Sequence, residues 1–271
     1  MDRKNQQNKK SETAIVDAVV DLGGSVGGAL AGAAIGTAVA GPVGTALGAV
    51  TGTAIEGAFR TLGKEIKERV FSKKEDQRIG AVFSLAAQKI RDNISSGKSL
   101  REDAFFSYND GTSPADEILE ATIIAAQREY EEKKLPYIAN LYANIAFDQS
   151  ISKETANYLI KCASELTYRQ LVILLIIGLY QSGQIVDPPR KSSSYSSMQG
   201  QNEISVATEI FDLYRKSLVF SREAFLDAAG INPSTLILGG YGAFLFILME
   251  LTKIPLNEVP AGDIVVYLAG L

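Results

Sequence analysis

The sequence predicts an all-α protein built as an N-terminal glycine-rich helical hairpin, transmembrane by its length, joined to a multi-helix cytoplasmic body. Three observations carry this. Residues 22–55 hold no charged side chain, and their glycines recur every fourth position. From residue 56 onward apolar side chains recur at three- and four-residue steps, the period of an amphipathic helix. No alternation of strand and helix patterns appears anywhere in the chain.

Residues 1–10 (MDRKNQQNKK) are polar and read as a disordered tail. Ser11 caps a first helix through Ile15, Val16, Val19 and Val20. Residues 11–75 then form the hairpin with its flanking helices. Gly24, Gly28, Gly32 and Gly36 make one ladder, and Gly44, Gly48 and Gly52 continue it beyond Gly41-Pro42. A four-residue step puts these small residues on one helix face, where two backbones can approach closely, as helices do in lipid. Gly41 and Pro42 mark the hairpin turn, because proline lacks a donor and disfavours helix at the residue before it. The halves 22–40 and 43–59 would reach about 28 Å and about 25 Å as helices, near the roughly 30 Å of a hydrocarbon core. Arg3, Lys4, Lys9 and Lys10 precede the hairpin and Arg60, Lys64, Lys67 and Arg69 follow it. Basic residues on both sides place both ends on the cytoplasmic face of the inner membrane. Gly, Ala and Thr favour insertion only weakly, so a soluble latent form is compatible with the composition.

The ladder resembles the glycine-zipper segments of bacterial membrane proteins and of some pore-forming toxins, over the first quarter of the chain. That resemblance implies membrane lipid as a partner and homo-oligomerisation through the glycine face. Ala38-Val39-Ala40 has the small-residue pattern of a cleavage site, but Glu12, Asp17 and Asp21 lie where a short basic leader is required. Cleavage is therefore not expected.

Phe59, Leu62, Ile66 and Val70 form a stripe with Arg60, Lys64, Lys67 and Arg69 between them. Such a basic helix either lies on anionic lipid or is an ordinary helix with a solvated face. The body spans 76–185. Helix 77–95 carries Ile79, Val82, Phe83, Ala86 and Ile90. Asn109-Asp110-Gly111 signals a turn. Ser113 and Pro114 read as cap and first residue of a helix to about 134, with Asp116 at its third position. Helices follow at Leu135–Phe147, from Ser152, and from Thr167 through the core run Leu171–Leu179. Glu129, Glu131 and Glu132 with Arg128, Lys133 and Lys134 read as a solvated, ion-paired face.

Residues 186–201 are rich in Pro, Ser and Gln and read as a linker loop. The module 202–271 is expected to hold helices at 203–216, 221–229 and 234–251, and a short one at 263–271 in which Val265 and Val266 could instead add a strand. Residues 225–236 resemble the bend of a helix-turn-helix, which would make this module winged-helix-like. Its second helix would read STLILGGYGAFLF, without a side chain to reach a base or phosphate. Nucleic acid is therefore not an expected partner. The middle and C-terminal stretches KKLPYIANLYANIAFDQSIS, ANYLIKCASELTYRQLVILLIIG and LTKIP resemble a helical family of bacterial proteins. That resemblance implies an α-helical fold and brings no activity with it.

The chain has no histidine and a single cysteine, Cys162, with a formal net charge of −4. Without histidine the Ser-His and Cys-His dyads and the commonest metal ligand are missing, so no catalytic residue, metal or cofactor is assigned. No internal disulfide can form, and Cys162 reads as a buried small hydrophobe. The function expected is a membrane-acting bacterial effector, with a protein partner or trigger acting on the body. The alternative is a non-lytic, membrane-anchored interaction scaffold.

Overall fold

The computed structural model describes residues 55, 58, 59, 62, 71–108, 112–184, 201–224 and 227–255. They are mostly helical, and they fall into two units, Met1–Glu165 and Leu166–Leu271. The helix after Thr167, expected in the body, thus goes with the C-terminal unit.

In the first unit α1 runs Lys73–Ser95. Ser72 accepts from the Glu75 amide at 3.3 Å, and the Glu75 carboxylate accepts from the Ser72 amide at 2.9 Å. This reciprocal box satisfies two of the helix's otherwise unpaired donors. The Ser72 hydrogen bonds, then the Gln127 side chain, pull the Glu75 carboxyl from 4.5 down to about 2. A depressed carboxylate pKa stabilises the fold above pH 4.5, and that contribution is lost as pH falls towards about 2. Glu75→Gln is expected to remove this part of the acid-side loss, read as a flatter melting temperature between pH 4.5 and about 2. The helix closes at Gly97, whose φ of +87° suits glycine, with the Lys98 amide returning to the Asn93 carbonyl at 3.0 Å.

Helix α2 (Pro114–Arg128) starts as the sequence predicts, with Ser113 and Asp116 forming a second capping box. It stops six residues before the expected end. The reason lies in the turn to α3 (Leu135–Ile145), where Lys134 donates to Glu129 and both side chains are almost wholly buried. Glu129 also accepts from the Glu131 amide at 2.9 Å. The supposed solvated charge cluster therefore contains a buried ion pair that staples the α2–α3 turn. Lys134→Met is expected to cost about 3 kcal/mol in a denaturant melt, because it leaves Glu129 buried and unpaired. Adding Glu129→Gln should recover much of that loss.

Helix α3 is buried at nearly every position and packs on α1, α2 and α4 (Lys153–Glu165). Proline at its second residue fits the first turn of a helix, where no donor is missed. Cys162 lies buried on α4.

In the second unit Thr167 and Gln170 box the start of α5 (Tyr168–Gln181). Its run Leu171–Leu179 is buried throughout, as a core helix should be. Helix α6 (Gln201–Arg215) is clipped to α5 by Arg169, which grips Glu209 at 2.8 and 2.7 Å, and by Gln170, which donates to Asp212 at 2.9 Å. The next segment departs from expectation. In place of helices starting at 221 and 234, β1 (Val219–Ser221) and β2 (Leu236–Leu238) pair antiparallel, Val219 opposite Leu238. The second helix, α7, is shorter, Gly240–Leu248. Pro233 opens a 3-10 turn, so no helix begins at Ser234. Gly242 sits against the Leu218 carbonyl, where a Cβ would lie 1.8 Å from the oxygen, and this close approach locks α7 to the start of β1.

Candidate functional site: the root of the glycine-rich segment

The glycine-rich stretch runs into the core of the first unit. Ile55, Ala58, Phe59 and Leu62 are all buried. Ile55 is the last residue of the uncharged stretch, and its carbonyl accepts from the Phe59 amide at 3.4 Å. Phe59 packs edge-on against Phe83 of α1, with ring centroids 4.8 Å apart. It also meets Tyr142 of α3 at 6.0 Å. Two helices that pack directly on one another thus each supply one wall of an aromatic socket, and Phe59 fills it.

The socket is held rigid from below. The Asn93 side chain donates to Asn144 at 3.0 Å, a buried bond joining α1 to α3. Arg101 is also buried. It binds Asp103 through Nε at 2.7 Å, donates to the Ile145 carbonyl at 3.3 Å, and lies 4.3 Å from the centroid of the Phe105 ring. The guanidinium beside Asp103 holds that carboxyl below its ordinary value. These buried polar groups are paired, so they fix the end of α3 without leaving an orphan.

Tyr142 is different. Its hydroxyl is buried without a hydrogen-bond partner, and one oxygen of Asp116 shares that condition. Burial pushes the Tyr142 hydroxyl well above its ordinary pKa, with Asp116 and then Tyr108 adding to it. It stays protonated and serves the socket as a ring.

Phe59 and Leu62 begin the stripe that the sequence offers either to lipid or to the protein. Here both are buried in protein, so in this state their side chains are not free to enter a bilayer. The ladder residues Gly24, Gly28, Gly32, Gly36, Gly44, Gly48 and Gly52 lie outside the described residues. So do the turn Gly41-Pro42 and the basic residues Arg60, Lys64, Lys67 and Arg69. Among the described residues no single helix is long and apolar enough to cross a membrane. Among them, too, no group of three or more Cys, Asp or Glu is placed to hold a metal ion.

The helical stripe in the sequence marks Phe59 but not its partners. Phe83 was legible only as a core residue of α1, and Tyr142 only as one of α3. No local signal pairs either with Phe59. No known protein family, curated protein or solved structure matches this chain.

Proposed function

We propose that this chain is a membrane-acting bacterial effector of a toxin or defence type. Its glycine-ladder hairpin enters the inner membrane, associates with copies of itself and permeabilises the bilayer, while the helical body stays in the cytoplasm. The observation that carries this reading is the root. The uncharged ladder ends in side chains locked into the core of the body, so in this state the expected second span, 43–59, gives up Ile55, Ala58 and Phe59 to the protein and reaches its full length only when the root is released. A body fixed to the base of a hairpin in this way can hold it in a soluble latent form or follow it to the bilayer. The C-terminal module, whose expected helix-turn-helix bend is replaced by a 3-10 turn and strand β2, is read as a protein-contact unit that receives the trigger. The reading is non-enzymatic and uses no cofactor.

Expression in bacteria tests it. Loss of viability with uptake of an impermeant dye is the expected result. Membrane binding with full viability and no dye uptake would instead establish the anchored scaffold, the one rival that keeps the hairpin.

A further inference from the structure

Helix α7 contains no polar or charged side chain apart from the Tyr241 hydroxyl. Its inner positions Gly242, Leu245 and Leu248 are buried. Its other face is Gly240, Ala243, Phe244 and Ile247, at steps of three, four and seven residues, and it carries no polar group. Ile247 is 65% exposed and Phe244 is half-buried. Tyr241 and Phe220, 37% and 42% exposed, extend the apolar surface at the helix's N-terminal end, where the Phe220 ring lies across Gly239. A helix that is apolar all round is normally covered all round, and contiguous exposed apolar surface marks a docking site.

We infer that residues 256–271 of this same chain cover that face. These residues lie outside the described part, and the chain reaches them from Pro255. Pro255 follows the turn Leu251–Lys253, which packs on both α7 and α5. The exit is therefore at the C-terminal end of α7. The segment supplies Ile264, Val265, Val266, Leu268 and Leu271, with no charge after Asp263. It too needs a cover. From Pro255 to Ile264 the extended chain spans up to about 30 Å, against about 13 Å for the length of α7. The tether can therefore double back along the whole helix. So short a link gives an effective concentration on the order of mM, far above what a second copy normally supplies. This is what selects the tail over a second copy of α7. The inference does not rest on what the N-terminal hairpin does.

The test uses the full chain with Cys162→Ala, which removes the one native thiol. Ile247→Cys is combined in turn with Ile264→Cys, Val265→Cys, Leu268→Cys and Leu271→Cys, then oxidised mildly. The expected result is an intramolecular disulfide in at least one pair, in a species that remains monomeric. A disulfide-linked dimer would assign the face to a second copy and overturn the inference. No disulfide in any pair, with the thiols shielded only on adding anionic phosphatidylglycerol vesicles or not shielded at all, would overturn it as well. A second measurement stands apart from cross-link geometry. Ile247→Cys alone should react with maleimide about ten-fold faster when Ile264, Val265 and Leu268 are all changed to Ser, the effect of losing about 1.4 kcal/mol of cover. An unchanged rate would overturn the inference.

Discussion

Phe59→Ala is expected to destabilise the first unit by about 4 kcal/mol, the usual cost of emptying a buried aromatic site. The residue is fully buried, and its ring meets Phe83 and Tyr142, so truncation opens a void between α1 and α3 that neither helix can close without moving. A denaturant melt followed by circular dichroism measures it. Tyr142→Phe is the matched control. It keeps the ring and removes a hydroxyl that has no partner, so it should be neutral or stabilise by about 1 kcal/mol. If Phe59→Ala melts like the parent chain, the root is not part of the core. Because Phe59 lies outside the ladder, the variant should still reach the membrane while its grip on the body is weakened.

Gly28→Leu combined with Gly32→Leu is expected to abolish dye leakage while leaving the chain folded and bound to membranes. Two leucines on the ladder face hold neighbouring helices apart, and close backbone approach is what the small residues provide. The same leucines make the segment more apolar, so membrane insertion should be kept or strengthened. The body is expected to be unaffected, since among the described residues the first core side chain is Ile55, beyond both substituted positions. Leakage that persists in the double variant would remove the zipper from the mechanism and leave the hairpin as an anchor at most.

Much of the fold was legible where local chemistry decides it. Ser113, Pro114 and Asp116 announce the start of α2, and Thr167 that of α5, because capping depends on neighbours in sequence. The run Leu171–Leu179 read correctly as core because a nine-residue apolar stretch is too short to span a bilayer. The buried pair of Glu129 and Lys134 was not legible. A string of mixed charges looks solvated, and only the turn between α2 and α3 brings these two inward. The strands were missed for a related reason. Leu236–Leu238 is a short apolar run whose period fits helix as well as strand, and its pairing with Val219–Ser221 is settled across a gap in sequence. At the candidate site the ladder and the stripe were legible by spacing. The socket that receives Phe59 was not, since it is assembled from α1 and α3.

The root also sets the design of the most direct test. A truncation that removed Ile55, Ala58, Phe59 and Leu62 would strip four core side chains and confuse misfolding with loss of the hairpin. The chain should instead begin at Thr53, which deletes the ladder and keeps the root. Membrane fractionation with carbonate extraction, in cells and with anionic vesicles, then compares it with the full chain. The full chain is expected to resist extraction from the membrane pellet, while the Thr53 chain is expected to be folded and soluble. A full chain that is soluble in cells and unbound by vesicles, or a Thr53 chain that stays in the pellet, would contradict the membrane reading.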